Sequence, residues 1–262
     1  MNIKKTITAA ASLALAAGLA GGLATQASAS TVPVSSTRLA ASTSHVTGAE
    51  RSAGSTVNGL DSLNWAGYVD THASHAASAK WTVPSVWGPT GYAASWVGLD
   101  GWGSRTVEQT GIDSAVLYGQ QIDTAWVELY PAGQQFIVYT ATGSEVPVYP
   151  GDRMGSSVTA IGGGYYAIRL TDYTRGWHFA GNVYDRAGRN ASAEAIMEAP
   201  ESAATGNILP LADFGSVSFT GVNVSGYATK ATMVARNWRV KASVTGSQWN
   251  FTTHFEFAGL AP

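Results

Sequence analysis

The chain has 262 residues, of which 45% are hydrophobic, only 12% are charged and none is cysteine. Without cysteine there is no disulfide, no thiol nucleophile and no thiolate-bound metal. From Val57 onward 16 acidic residues face 11 basic ones, a balance near −5 that argues against a nucleic acid or an anionic membrane as partner.

The N-terminus reads as an export signal. Lys4 and Lys5 precede an Ala/Leu/Gly run to about Ala24, and Ala27-Ser28-Ala29 forms a small-residue cleavage pattern. Residues 1–29 are expected to be a signal peptide, and the mature protein is expected to be secreted and extracellular. No later segment has the apolar length of a membrane span. Residues 30–56 are mostly Ser, Thr, Ala and Val, without an aromatic residue or a hydrophobic period. They are expected to be a pro-segment or mobile leader. Residues 57–262 hold all nine Trp and all eleven Tyr and can bury the core of one domain. That domain is expected to act as a monomer.

Period-two runs of β-branched and aromatic residues predict strands over 64–70, 79–83, 92–100, 106–109, 125–130 and 135–140. They continue over 156–161, 165–171, 177–183, 193–198, 217–222, 232–240 and 249–257. Turn chemistry separates them at Gly101, at Pro150-Gly151-Asp152, at Gly162-Gly163-Gly164 and at Asp185-Arg186-Ala187-Gly188. No long stretch has a helical period. The pattern predicts an all-β sandwich or jelly roll.

There is no H-E-x-x-H zinc motif and no G-x-S-x-G nucleophile elbow. His72, His75, His178 and His254 read as structural. No metal and no cofactor is expected. Carboxylates inside apolar strands say more. Alternation puts Trp96, Gly98 and Asp100 on one face, Trp126, Glu128 and Tyr130 on another, and Glu194, Ile196 and Glu198 on a third. Acids beside Trp suit a wet, aromatic-lined concave sheet better than a plain solvated face. Glu194 and Glu198 stand roughly 13 Å apart along one strand, beyond the about 5–9.5 Å of glycosidase carboxyl pairs. One of them must therefore work with a group from a neighbouring strand.

Seven segments in order resemble the glutamic peptidases of the eqolisin family. They are "LNWAGYV" (63–69), "AKWTVPSV" (79–86), "SWVGLDG" (95–101), "VEQTGID" (107–113), "DTAWVELYP" (123–131), "SAEAIMEAP" (192–200) and "LPLADFGSVSFT" (209–220). The resemblance implies two long, curved antiparallel sheets of concanavalin A-like or jelly-roll type. It also implies a secreted acid endopeptidase that cleaves polypeptide substrates with a Gln–Glu pair, without metal or covalent intermediate. The family's Gln before Thr-Gly corresponds to Gln109, and its catalytic Glu, at the close of the A-E-x-I-x-E strand, to Glu198. Trp96, Asp100 and Glu128 match positions that line the family's cleft, and Trp65 and Glu194 join them as candidate cleft residues. Glu194 shares strand and face with Glu198 and is expected to lie too far from Gln109. Glu108 is expected on the opposite face.

The chain departs from the fungal pattern at Ala195, where an aromatic stands, at Ala199, where an acid stands, and in lacking cysteine. A carboxamide holds water through its oxygen, donates its N–H to a developing oxyanion and never titrates. The glutamate would serve as general base, which at low pH requires its pKa to stay low. Two other readings remain at this stage. One is a carbohydrate-binding module of concanavalin-like fold. The other is a sandwich glycoside hydrolase with Glu128 and Glu198 as its pair.

Overall fold

The computed structural model describes residues 34–37, 51–56, 59–139, 141–224, 227–233 and 240–257. Among them there is no helix. The strands are β1 (Val34–Thr37), β2 (Arg51–Thr56), β3 (Gly59–Ser62), β4 (Trp65–Asp70), β5 (Ala76–Thr82) and β6 (Gly91–Leu99). Next come β7 (Val107–Leu117), β8 (Gln120–Tyr130), β9 (Gln134–Tyr139), β10 (Arg153–Gly162), β11 (Tyr165–Asp172) and β12 (His178–Tyr184). The last are β13 (Ala193–Glu198), β14 (Ser216–Asn223), β15 (Thr229–Met233), β16 (Val240–Ser247) and β17 (Asn250–Phe257).

Two sheets result. The first runs β1-β9-β8-β7-β6-β13-β4-β15, with β3 and β2 beyond β15 on one branch and β16 and β17 on another. The second runs β12-β11-β10-β5-β14. Strand β14 belongs to both. Ser216–Phe219 pairs with β17, and after a register shift Thr220 and Asn223 pair with β5. The sheets are thereby joined along one side, and the sandwich is nearly barrel-like. All pairings are antiparallel except β3–β15.

Alternation along the strands sends one set of side chains between the sheets. Trp81, Met154, Tyr166, Ile168, Leu170, Phe219 and Phe251 form the buried core there. Phe219 stacks on Phe251 at 4.8 Å and tilts against Trp81 at 5.7 Å. Burial of each such ring contributes roughly 1.5–3 kcal/mol. The opposite face of the first sheet carries a second cluster that includes Trp65, Trp96, Trp126, Val107 and Ile196.

The predicted all-β sandwich is the observed fold, and several edges differ. Strand β7 does not stop at Gln109 but continues to Leu117. Gly111 reads as a turn residue in sequence. In the fold it sits mid-strand, because a Cβ there would lie 2.3 Å from the Ser95 carbonyl oxygen and 2.5 Å from the Trp96 Cβ. The predicted strand 232–240 is two elements, β15 and the start of β16, and residues 234–239 between them lie outside the described residues. The expected signal peptide, 1–29, also lies outside them. Of the expected leader only 34–37 and 51–56 are described, and both are strands. They take opposite edges, β1 beside β9 and β2 beside β3.

Candidate active site

Strand register assembles the site. Glu194 on β13 stands opposite Gly98 on β6, Gly98 opposite Gln109 on β7, Gln109 opposite Glu128 on β8, and Glu128 opposite Gln134 on β9. Residues directly opposite in an antiparallel pair point to the same face. Glu194, Gln109 and Glu128 therefore form one polar row on the outer face of the first sheet. Strands lie about 4.8 Å apart, so the Cα atoms of Glu194 and Gln109 are roughly 10 Å apart. Only a glycine stands between them. A Cβ at Gly98 would come within 3.0 Å of the Gln109 Cβ and of the Trp96 ring, so this glycine opens the space into which both side chains reach.

Glu198 lies in a different row. It pairs with Trp65 on β4 and with Ala94 on β6, and Ala94 pairs with Asp113. Four residues along and two strands across put its Cα roughly 16 Å from that of Gln109. The expected pairing of Gln109 with Glu198 is thus corrected by register: the β13 glutamate in the row of Gln109, across Gly98, is Glu194, the residue expected to be too distant. Glu198 holds a tryptophan instead. Its Oε2 accepts from Trp96 Nε1 at 2.7 Å, and its Oε1 accepts from Asn64 Nδ2 at 3.1 Å. Glu128 and Glu198 are three strands and four residues apart, about 20 Å, far too distant for a glycosidase pair.

Between the two polar rows runs an aromatic one: Ile196, Trp96, Gly111, Trp126 and Phe136. Trp65 packs edge-on against Trp96, with ring centroids 5.0 Å apart. The expectation of a wet face fails here. Trp65, Trp96, Trp126, Glu194 and Glu198 are all fully buried, and Gln109 and Glu128 are 1% exposed.

Burial sets the electrostatics. Glu194 Oε1 accepts from the Ser192 hydroxyl and, at 3.1 Å, from the Trp102 amide. Burial nevertheless pushes the Glu194 carboxyl up to about 8, against the lowering pull of those donors. Desolvation disfavours the charged form here more than the donors favour it. Glu194 Oε2 has no hydrogen-bond partner, and neither has Gln109 Oε1. Gln109 donates one N–H to Glu128 Oε2 at 3.0 Å, which fixes the amide and leaves its second N–H to spare.

Asp100 does not line this face. It lies past the end of β6 with φ 73°, and that left-handed turn breaks the alternation that would align it with Trp96 and Gly98. Its carboxylate points to the back of the sheet and accepts from the amides of Arg189, Asn190 and Ala191 at 2.7–2.8 Å. Glu108 also points to the back, as alternation predicts; Tyr166, in the core between the sheets, and Asp100 act on it there. Sequence reasoning missed Asn64, Asp113, Ser192 and Trp102. Each sits inside or beside a recognisable segment, but only pairing shows which carboxylate each one serves. Asp113, for example, accepts from Gln134 Nε2 at 2.9 Å.

Where β13 ends, a cavity of about 850 Å³ opens between Leu63, Trp87, Ala199, Leu209, Met233 and Phe255. It adjoins Glu198 through Ala199 and has mostly apolar walls. Among the described residues no group of three His, Asp or Glu is arranged to hold a metal ion.

A buried carboxyl thus faces a carboxamide across a glycine on the outer face of a β-sandwich. The chain matches the peptidase A4 family over residues 63–254, and it belongs to that family, the eqolisins. It is a peptidase of the glutamic type. A crystal structure of scytalido-glutamic peptidase with a transition-state analogue inhibitor superposes with a TM-score of 0.63 at 25% identity, covering 74% of this chain and 98% of that one. SCP-B, an eqolisin bound to the tripeptide Ala-Ile-His, gives 0.58 at 23% identity, with 74% and 98% covered. Aspergilloglutamic peptidase from Aspergillus niger gives 0.52 at 22% identity, with 63% and 99% covered. No curated protein matches the chain.

Proposed function

We propose that this peptidase is a secreted acid endopeptidase in which Gln109 and Glu194 activate water against the scissile peptide bond. The observation that carries the reading is the row itself. Two buried side chains each present an oxygen without a protein partner, Glu194 Oε2 and Gln109 Oε1, and they converge over Gly98. A water between them would satisfy both.

With burial raising its pKa to about 8, Glu194 enters the reaction protonated throughout the acid range. Oε2 gives its proton to the substrate carbonyl oxygen as water adds to the carbonyl carbon. The carboxylate so formed takes a proton from the adding water, which leaves a neutral gem-diol. In the second half Oε2 protonates the amide nitrogen, the C–N bond breaks, and a hydroxyl proton of the gem-diol returns to Glu194. The carboxyl ends as it began, with no metal and no acyl-enzyme. Gln109 Oε1 orients the water, and its spare N–H polarises the carbonyl oxygen that Glu194 protonates. Preorganised donors of this kind are worth about 3–4 kcal/mol. Glu128 fixes the amide of Gln109, and Glu198 with Asn64 fixes Trp96 and, through it, Trp65 as the aromatic wall.

Polypeptides are the substrates. Hydrolysis of an unfolded protein at acid pH by the secreted chain tests the reading. Loss in both Gln109→Ala and Glu194→Gln, with the fold retained, is the expected result. Full activity in either one refutes the pair.

A further inference from the structure

On the back of the same strands lies a carboxyl group that the reaction does not use. Glu108 precedes Gln109 on β7, is 0% exposed, and has no hydrogen-bond donor on either carboxyl oxygen. The groups that act on it are themselves acids: Asp100 at the end of β6 and Asp185 after β12, both within hydrogen-bonding contact, with the Tyr166 phenol of β11 beside them. Contact between carboxyl groups requires a proton or a cation to join them.

The donors decide which. Asp100 Oδ2 accepts from the Arg189 and Asn190 amides and, at 3.5 Å, from the Tyr166 hydroxyl; Oδ1 accepts from the Ala191 amide. Three amide dipoles aimed at one carboxylate stabilise an anion and oppose a cation. Asp100 is therefore the acceptor of the pair, and Glu108 carries the proton. Burial, followed by the charges of Asp100 and Asp185, accordingly drives the Glu108 pKa up to about 10.

We propose that Glu108 is a positioning residue: its carboxyl clasps Asp100 and Asp185 and holds the 185–192 loop, and with it Ser192 and Glu194, against the back of β6 and β7. The inference rests on the Gln109–Glu194 reading for its catalytic consequence. Two connections reach the front. Through the backbone, Glu108 and Gln109 share a peptide unit. Through the loop, Asp100 takes the three amides of 189–191, its own amide donates to the Ser192 carbonyl at 3.1 Å, and the Ser192 hydroxyl donates to Glu194. Loss of the proton would leave three carboxylates in contact. Asp185 is the one that can withdraw, since it is half-buried on a turn whose Arg186, Ala187 and Arg189 are exposed. Its withdrawal takes with it the segment that orients Glu194.

The experiment measures melting temperature and peptide hydrolysis from pH 3 to pH 9 for the mature chain and for Glu108→Gln, Glu108→Ala and Asp185→Asn. A carboxamide keeps a donor toward Asp100 and Asp185 but cannot ionise. Glu108→Gln should therefore move the alkaline fall of stability upward by about one pH unit or more, while the alkaline fall of kcat stays where Glu194 sets it. Asp185→Asn removes one of the repelling charges and should move the stability profile the same way by less. Glu108→Ala removes the clasp at every pH and should lower kcat at acid pH by about tenfold to a hundredfold with KM little changed, as small misplacements of catalytic groups do. Rescue of that loss by Glu108→Gln separates a lost donor from a lost charge. If the melting profiles of Glu108→Gln and Asp185→Asn coincide with that of the wild type, Glu108 is not the proton carrier and the clasp is refuted. If the melting profiles move and Glu108→Ala keeps the wild-type kcat at acid pH, the clasp exists but does not position the site, and the positioning role is refuted while the Gln109–Glu194 reading stands. That reading fails only if Gln109→Ala and Glu194→Gln remain active.

Discussion

Replacement of Glu194 by Gln separates catalysis from stability. Below pH 4.5 the native and unfolded chains both hold the Glu194 proton. Between 4.5 and about 8 the native chain keeps it and the unfolded chain has lost it. Stability contributed by the proton is thus fully present at low pH and lost as pH rises toward 8. At pH 7 the penalty is about 3 kcal/mol, from roughly 2.5 pH units at 1.36 kcal/mol each. Gln cannot titrate, and its carbonyl oxygen can still accept from Ser192 and Trp102. Glu194→Gln should therefore melt roughly 6–12 °C higher than the wild type at pH 7 and almost equally at pH 4. Its peptide hydrolysis should fall at least about a hundredfold, since the proton carrier is gone. Glu198→Gln should do the reverse. One face of the new amide must meet Trp96 Nε1–H or Asn64 Nδ2–H, so a buried donor loses its acceptor. That costs about 1–3 kcal/mol at every pH and leaves the Gln109 row in place. The assay is acid-pH hydrolysis of a quenched fluorogenic peptide, with melting curves recorded on the same samples. If Glu194→Gln cleaves at the wild-type rate while Glu198→Gln is folded and inert, the register argument has chosen the wrong acid.

Gln109→Ala should lower kcat about a hundredfold to a thousandfold, the usual cost of one oxyanion donor, with its melting temperature near that of the wild type. A catalytic acid that titrates near 8 predicts a kcat that falls, not rises, as pH passes from 6 to 9; a rising limb there would mean that Glu194 works as the ionised base. If the expected leader limits access to the buried Gln109 row, a chain that begins near Val57, without β1 and β2, should hydrolyse peptides faster than the 262-residue chain. Equal rates for the two chains would show that the leader does not limit access. EDTA and serine-directed reagents should leave activity unchanged, and zinc-reversible inhibition by EDTA would reinstate a metal-dependent mechanism.

The strands were legible because their chemistry is local. In "SAEAIMEAP" the alternation alone marks out β13, Ala193–Glu198, without error. The choice between Glu194 and Glu198 was not legible. It depends on how β13 registers on β6 and how β6 registers on β7, two pairings between segments distant in sequence. A slip of two residues in either pairing moves the glutamate by one same-face step, about 6.6 Å. One local signal did exist. Gly98 is the only residue without a side chain at its same-face positions in "SWVGLDG", and it marks the gap across which two side chains can meet. Asp100 defeated the reading for another reason. Period-two reasoning assumes extended backbone, and a residue with positive φ at a strand end leaves that assumption without any sign in its side chain.

The pH direction of the two buried acids also connects the faces of the sheet. The low charge of the chain suits acid conditions in a passive sense, since few carboxylates must stay ionised. Glu108 and Glu194 add an active one. Each is buried among groups that do not compensate a negative charge in full, and each binds its proton more tightly in the folded chain than in the unfolded one. Above pH 4.5 the native state therefore holds up to two more protons than the unfolded state at these positions, and the slope of stability against pH is negative until they ionise. The two acids stand on opposite faces of the sheet and share Asp100 as a neighbour, whose charge raises the cost of ionising each. A peptidase built this way needs no low-pKa base to work in acid. The proton that the reaction requires and the proton that keeps the loop behind the site in place are retained under the same conditions, and they are lost in the same direction.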